Sequence, residues 1–372
     1  MRWLILISYL QIENFKSLKK VALPLKNLNL LLGMNGAGKS SIIQALLLLR
    51  QSYWTNNQTN LSRLFLNGEL ISLGTAKDIF STNAEKNYIR FYVKDTDQCI
   101  NDFKYRYIEE RPLEDILQRN GDTPENYDAC LFLQEFKYLA AEHLAPQKKY
   151  SLENWNQEMP NMLGNNGQNI VPFLATYGEK IKIDRALCLE TAKSDKLIDQ
   201  VSAWMNYISP GVQVRTTLNH VEQEAKLLFN FEGKRLTSEP YLPVNVGFGL
   251  PYVLPLIVEL LIAEKGTLVL LENPESHLHP KGQSMMANLI AKVAARGVQI
   301  ICESHSDHII NGIRVATKNK EINNDDIVVS YFEKDESQDT KVINIKIDGN
   351  GNLNKYPKGL LDEWGELMAK LL

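Results

Sequence analysis

The sequence has few cysteines, and none of them are paired at the spacing of a metal or redox site. Its four cysteines stand alone at Cys99, Cys130, Cys188 and Cys302. Structural zinc sites and redox centres need closely spaced pairs. A disulfide framework is therefore excluded as an organising feature, and a reducing, cytoplasmic setting is the expectation.

Long hydrophobic runs are also missing. No segment approaches the roughly 20 consecutive apolar residues that a membrane-spanning helix needs. The apolar run at residues 3–10 is short, and a charged stretch rather than a cleavage site follows it. It predicts a strand, and we expect no membrane insertion.

The chain also has no large excess of charge of either sign. The chain has 41 basic and 44 acidic residues, which leave a formal net charge of -3. This balance provides no overall attraction to nucleic acid.

With 372 residues, of which 44% are hydrophobic and 23% charged, the chain suits either one large α/β unit with an inserted lobe or two joined domains.

A glycine-rich turn follows the continuous apolar run at residues 28–32, which is typical of a buried strand. From Gly33 the sequence reads Gly-Met-Asn-Gly-Ala-Gly-Lys-Ser, the phosphate-loop pattern. Glycines let backbone amides curl around phosphates, Lys39 neutralises charge, and the Ser40 hydroxyl is placed to ligate Mg²⁺. The alternative, an ordinary glycine turn between a strand and a helix, explains the glycines but not the Lys-Ser pair at the position that the pattern requires.

The pattern therefore predicts ATP binding with Mg²⁺ as the metal. The candidate nucleotide-binding residues of the loop are Gly33, Asn35, Gly36, Ala37, Gly38, Lys39, Ser40 and Ser41.

The second half of the chain alternates strands and helices, which favours a parallel sheet. We predict a helix at residues 251–264, a strand at 267–271, a helix at 281–296 and a strand at 298–302. The first of these strands leads into Glu272. Ligands gather at the carboxyl ends of parallel strands, so Glu272 is predicted to hold the metal through water, with Glu275 close by.

Between these halves the signal is weaker. Residues 89–93 and 103–108 predict an antiparallel hairpin, and residues 147–169, rich in Asn, Gln, Gly and Pro, predict an exposed excursion that is the best candidate for a mobile loop. Residues 196–207 have helical spacing. Further predictions are strands at 10–12, 21–25, 212–217 and 225–231, a terminal hairpin at 327–332 and 342–347, and a short helix near 360–372.

Close histidine pairs occur at His277 and His279 and at His305 and His308, which opens a zinc alternative. We favour another interpretation. His305 lies just beyond a predicted strand and is expected beside the nucleotide, where it can contact the γ-phosphate. His277 and His279 are expected to shape the turn after the acidic strand.

Four segments together resemble the ATPases of the SMC, RecF and OLD type, which are ABC-like heads. They are the Ile-Glu-Asn-Phe-Lys-Ser segment from Ile12, the phosphate loop, the Glu-Asn-Pro-Glu-Ser-His-Leu-His-Pro string from Glu272, and the Glu-Ser-His-Ser segment from Glu303. The resemblance extends to single-head bacterial ATPases of antiphage defence, such as the Septu-type ATPase subunit. It covers both ends of the chain and not the middle.

The resemblance implies an α/β P-loop NTPase fold of the ABC-type ATPase head, with a β-rich N-terminal lobe and a helical insertion. We expect an N-terminal lobe at residues 1–110, an inserted lobe at 111–240 and a C-terminal lobe at 241–372. In such heads a signature loop of one subunit caps the nucleotide of a second copy. Asn245, Gly247 and Gly249 occupy that place by resemblance, and a glycine turn into a buried helix is the alternative.

Asn273 departs from the family pattern, which has a glutamate there to polarise the attacking water. Asparagine cannot accept a proton. Either Glu275 or Glu303 is the base, or hydrolysis is slow and the closed dimer is long-lived. We favour slow hydrolysis, with Glu272, Glu275, Glu303 and His305 as the candidate catalytic residues.

Two other motifs receive no role. Lys193 and Asp195 lie in an Ala-Lys-Ser-Asp string similar to the guanine-reading motif of GTPases, but no Asp-x-x-Gly switch precedes it. Gln51 lies about 18 Å along a helix from Lys39, too far for a magnesium-sensing glutamine.

The function that these patterns favour is an ATP-driven homodimeric switch that regulates a partner, such as an effector nuclease in antiphage defence. The partner is implied by resemblance alone. One alternative is a RecF-like or SMC-like repair ATPase that binds DNA directly, and another is a scaffold that binds nucleotide without hydrolysing it.

Overall fold

The computed structural model describes residues 5–121, 127–133, 136–152, 163–233 and 236–371. The chain divides into two compact units. The first unit comprises Met1–Phe136, Ile301–His305 and Asn324–Leu372, and the second comprises Lys137–Ile300 and Ser306–Asn323.

Within the described residues the strands are β1 Ile7–Phe15, β2 Leu18–Pro24, β3 Leu28–Gly33, β4 Arg63–Phe65, β5 Tyr88–Asp95, β6 Ile100–Arg106, β7 Ile116–Gln118, β8 Phe136–Leu139, β9 Tyr150–Ser151, β10 Val212–Asn219, β11 Glu224–Phe231, β12 Leu268–Glu272, β13 Gln299–Glu303, β14 Ile327–Lys334 and β15 Thr340–Ile345. The α-helices there are α1 Lys39–Thr55, α2 Ala76–Ile79, α3 Ile170–Tyr177, α4 Leu197–Ile208, α5 Gly249–Leu261, α6 Pro280–Ala295, α7 Asp307–Lys318 and α8 Glu363–Leu371.

An antiparallel sheet forms the β-rich part of the first unit. Its strand order is β2-β1-β5-β6. Ile89, Phe91 and Val93 alternate with more exposed residues along β5 and are almost fully buried. This period of two puts one face of the sheet into the core. The hairpin predicted from residues 89–93 and 103–108 is confirmed.

A second sheet carries the phosphate loop. Strand β3 pairs in parallel with β14, and β14 pairs antiparallel with β15. The run from Leu28 to Leu32 is buried along its whole length, as a parallel strand requires. Helix α1 follows directly and is largely buried, as its apolar sequence predicts. The parallel sheet and the terminal hairpin are therefore confirmed.

The second unit combines a small antiparallel sheet with helices. Strand β11 lies between β10 and β9, and the predicted helices at 196–207, 251–264 and 281–296 correspond to α4, α5 and α6. The strand predicted at 267–271 is β12. Strand β13 passes from the second unit into the first after Ile300.

The segment at residues 147–169 corrects one expectation. Residues 153–162 lie outside the described residues. Leu163 is only 3% exposed, and the carbonyl oxygens of Asn165 and Asn166 accept hydrogen bonds from Ala140 and Leu144. The prediction of an exposed excursion is wrong for residues 163–167, because positive φ angles at Gly164 and Gly167 fold this turn onto the unit.

A buried ion pair links β8 to α5 in the second unit. The Lys137 ammonium lies 3.1 Å from the Glu259 carboxylate, and the two side chains are 18% and 6% exposed. Burial raises the pKa of Glu259 above its ordinary value, and Lys137 opposes that rise. The lysine therefore keeps a buried negative charge compensated.

Lys137→Met should lower the free energy of unfolding by about 3–5 kcal/mol, because it leaves Glu259 buried without its partner. Because the pKa of Glu259 is raised in the folded state, its protonated form is the one that folding tolerates. The loss should therefore grow as the pH rises above about 4.5, the ordinary pKa of a glutamate, because the unpaired carboxyl group must ionise in its buried place.

Urea unfolding at several pH values measures this loss. Lys149→Met is the matched control, because Lys149 pairs with Glu224 while 64% exposed, and such pairs contribute less than about 1 kcal/mol. Equal losses in the two variants would contradict the prediction.

Candidate nucleotide-binding site

The phosphate loop begins where β3 meets β14. Gly33 has a φ of 132°, and a Cβ there would lie 2.1 Å from the carbonyl oxygen of Phe332. Gly38 has a φ of 103°, and a Cβ there would lie 2.5 Å from the Thr340 hydroxyl. Both positions combine a positive φ with a close approach, so only glycine fits them.

The Lys39 ammonium lies at the centre of the loop. Lys39 is 2% exposed, and its Nζ donates to the carbonyl oxygens of Gly33 and Met34, each at 2.8 Å. These two acceptors are uncharged. No side chain caps the first turn of α1, and that turn contains no acidic residue. A helix N-terminus of this kind binds anions.

Ser40 and Glu303 bring oxygen donors to the loop. The Ser40 hydroxyl donates to Glu303 Oε1 at 2.9 Å, and His305 Nε2 lies 3.7 Å from the same oxygen. Glu303 is 4% exposed. Its Oε2 is buried and has no hydrogen-bond partner among the described residues. Mg²⁺ prefers hard oxygen donors, so the Ser40 hydroxyl fits the predicted metal, and Glu303 places a carboxylate beside it.

A cavity of about 380 Å³ joins these groups. The predicted residues that line it are Asn35, Gly36, Gly38, Lys39, Ser40, Ser41, Glu303 and His305. Gly33 and Ala37 do not line it and support the loop instead. Ala37 is 2% exposed, and its carbonyl oxygen accepts from the Thr340 hydroxyl at 2.9 Å.

Three further lining residues were not predicted as site residues, namely Lys16, Ser17 and Gln44. Lys16 Nζ donates to Gln44 Oε1 at 2.6 Å, and burial lowers the pKa of Lys16. Gln44 lies one helical turn after Ser40, a spacing that places it on the same face of α1. This spacing is the sequence signal that could have found it.

Gln51 has a structural place away from the cavity. Its Nε2 donates to the Phe65 carbonyl oxygen at 2.8 Å, and its Oε1 accepts from the Ile71 amide at 3.1 Å. It fixes the segment after β4.

In the second unit, Glu272 ends β12. The Tyr138 hydroxyl, from β8, donates to Glu272 Oε1 at 3.0 Å, a contact that no sequence signal indicated. Glu275 is 8% exposed. Asn273 has a φ of 49°, in the left-handed region that asparagine tolerates better than glutamate. The local backbone thus gives a physical reason for asparagine at this position.

The signature-like segment leads into α5. Asn245 ends a 3₁₀ turn at Pro243–Asn245, and α5 begins at Gly249. A Cβ at Gly249 would lie 2.4 Å from the His277 carbonyl oxygen, whereas Gly247 has open space around it. Close backbone contact therefore requires glycine at 249 and not at 247.

No group of three or more His, Cys, Asp or Glu side chains in the described ranges could hold a metal ion. His305 lines the cavity. His279 caps α6, with its Nδ1 accepting from the Lys281 amide at 3.3 Å, and His277 packs against Phe248 and Tyr252.

The Ala-Lys-Ser-Asp string forms the turn before α4. Ser194 Oγ donates to Asp199 at 2.5 Å, and Asp195 pairs with Lys182 at 3.1 Å. Its aspartate is thus engaged in a surface ion pair.

No helix among the described residues is both long and apolar enough to span a bilayer.

Solved structures of SMC heads share this fold. The crystal structure of an SMC head bound to the C-terminal winged-helix domain of ScpA matches with a TM-score of 0.52 and 14% identity, over 92% of this chain and 98% of that one. The chain is thus an α/β protein with the P-loop NTPase fold of the SMC head.

Two other SMC heads are similar. The head domain from Thermotoga maritima has a TM-score of 0.47 and 9% identity, over 92% of this chain and 100% of that one. The ScpA-bound head with an extended coiled coil from Pyrococcus furiosus has a TM-score of 0.49 and 12% identity, over 99% of each chain.

Matches to sequence families assign the chain to a family. No curated protein matches this sequence. Residues 322–371 match a family described as a protein of unknown function, DUF3696. Residues 28–311 match the family described as "AAA domain, putative AbiEii toxin, Type IV TA system". Since that match spans more than half of the sequence, the chain belongs to this AbiEii-type AAA family.

Proposed function

We propose that this chain binds ATP with Mg²⁺, hydrolyses it slowly, and acts as a dimeric switch that controls a partner protein. One observation carries the proposal: the buried Lys39 ammonium, the Ser40 hydroxyl and the Glu303 carboxylate surround one cavity beside the uncapped start of α1. A cation, the backbone amides of a helix start and oxygen donors are together what a magnesium-bound triphosphate needs.

The loop and helix bind the phosphates in this proposal. Backbone amides from Gly36 to Ser40 donate to phosphate oxygens, and the positive end of α1 favours their charge. Lys39 gives up its two carbonyl acceptors for the β- and γ-phosphates. Asn35 and Ser41 line the same cavity and supply further donors.

Ser40 and Glu272 are the proposed magnesium ligands, Glu272 through water. When bound, the metal neutralises charge that develops on the transferred phosphoryl group. Tyr138 holds one oxygen of Glu272 through its hydroxyl, which fixes the orientation of that carboxylate in the second unit.

Glu303 is our first choice for the base. It faces the phosphate-loop cavity, and its Oε2 is buried without a hydrogen-bond partner in the described residues. Asn273 cannot accept a proton, and its left-handed backbone disfavours glutamate there. Glu275 remains the second choice, and His305 is proposed to contact the γ-phosphate.

The switch is proposed from the family and the fold. Asn245, Gly247 and Gly249 would cap the nucleotide of a second copy, so that ATP closes a homodimer and hydrolysis opens it. The SMC heads with this fold include two solved with ScpA bound, which are partner complexes of those proteins. By resemblance we propose an effector nuclease as the partner here, in antiphage defence.

Lys39→Ala should weaken ATP binding by about 10-fold to 100-fold, because it removes a charge-assisted contact to the phosphates. Isothermal titration calorimetry with Mg²⁺ and ATP measures the affinity. Lys20→Ala, which removes an exposed lysine on β2, is the control and should bind like the unaltered chain. Unchanged affinity in Lys39→Ala would refute the assigned phosphate site.

Single-turnover hydrolysis should be slower than about one per second. Glu303→Gln should lower that rate by about 100-fold, because an amide cannot accept a proton, while ATP affinity stays unchanged. Quenched-flow measurement of phosphate release gives the rate.

Glu275→Gln is the comparison variant, and Asp97→Asn, at an exposed acid of the first unit, is the control. A larger loss in Glu275→Gln than in Glu303→Gln would move the role of base to Glu275.

A further inference from the structure

Four aromatic rings of the second unit pack on one another around His277 and Tyr252. His277 meets Phe248 edge-on at 4.7 Å between ring centres and meets Tyr252 at 5.0 Å. Tyr252 stacks on His143 at 4.0 Å with an angle of 18°. These four residues are termed the ring cluster. Such aromatic pairs favour one mutual geometry beyond their burial.

The ring cluster joins three separate segments of the chain. His143 follows β8, Phe248 and Tyr252 lie at the start of α5, and His277 lies in the turn after β12. Hydrogen bonds reinforce it, since His143 Nδ1 lies 2.8 Å from the Tyr252 carbonyl oxygen and the Tyr252 hydroxyl donates to the Ala141 carbonyl oxygen at 2.9 Å.

The backbone beneath the rings is closely packed. The Gly249 Cα approaches the His277 carbonyl so closely that a Cβ would lie 2.4 Å from it. His277 itself has a φ of 61°, a conformation that few residue types other than glycine adopt. Loop and turn therefore meet through both main chain and side chains.

Phe248 differs from the rest of the ring cluster in its exposure. Its side chain is 47% exposed, whereas Tyr252 is 5% exposed. The Phe248 ring is nearly perpendicular to the His277 ring and lies 6.3 Å from Tyr252 between ring centres, and about half of it faces solvent in the loop that precedes α5.

We propose that Phe248 is a positioning residue. Through His277 it holds the loop at residues 245–249 in register with the turn that carries Asn273 and Glu275, so that loop and turn move as one piece when the loop meets the nucleotide of a second copy. The inference rests on the proposed function, because it needs an ATP-dependent dimer.

The experiment compares Phe248→Ala, His277→Asn and the double variant. Asparagine suits the left-handed backbone at 277, so this change removes the ring without adding strain. Sedimentation velocity with Mg²⁺ and ATP measures the dimer dissociation constant, and calorimetry measures ATP binding. Each single variant should weaken dimerisation by about tenfold, and the double variant no further, because both break one connection.

ATP affinity should stay unchanged in all three variants, which separates positioning from loss of the nucleotide site. Phe248→Tyr keeps the edge contact and should restore dimerisation. Tyr207→Ala is the matched control, because Tyr207 is a 42% exposed ring that packs edge-on against Trp204 in the same unit. It should dimerise like the unaltered chain.

The outcomes separate the inference from the function on which it rests. If Phe248→Ala weakens dimerisation while His277→Asn does not, or if their effects multiply, Phe248 is only a contact surface and the inference is overturned. Variants that dimerise normally overturn it as well. An unaltered chain that binds no ATP overturns the proposed function and the inference with it, whereas ATP binding without dimerisation overturns the switch and the inference but leaves the nucleotide site.

Discussion

The close approach of Gly33 to the Phe332 carbonyl oxygen is the constraint on which the candidate site depends. Strand β14 lies so near the end of β3 that no side chain fits there. The chain must turn at once, and the turn brings the carbonyl oxygens of Gly33 and Met34 to the Lys39 ammonium. The lysine and the helix start come directly after this contact in the chain, and residues of the turn between them line the cavity.

Local signals were sufficient for the elements around the loop. The apolar run of β3 favours a buried strand, the glycine spacing favours a phosphate loop, and the apolar sequence of α1 favours a buried helix. These three local preferences agree with one another. Helix α7 was not predicted, although Ser306 caps it by accepting from the His308 amide. Helix α3 was missed because it follows a glycine-rich turn that looks exposed in the sequence.

Contacts between distant residues could not be predicted. Ser40 and Glu303 are 263 residues apart, and Tyr138 and Glu272 are 134 apart. Each residue type was recognisable, yet only the fold decides which oxygen meets which hydroxyl. Asn273 was recognised in the sequence as a departure from the family pattern, but nothing in the sequence explained it. The left-handed backbone angle at this residue supplies that reason, and it could be seen only in the structure. The three-lobe division remains a prediction.

The hydroxyl bridge behind the phosphate loop has a consequence for biosynthesis. Ser17 and Thr340 hydroxyls lie 2.8 Å apart, and Thr340 donates to Ala37, 303 residues earlier. The ribosome makes the loop early and Thr340 late. The loop therefore leaves the exit tunnel long before Thr340, which hydrogen-bonds to it, has been made. The loop therefore acquires its final shape only after Thr340 has been made, 303 residues after Ala37, and any nucleotide-dependent activity is delayed until then.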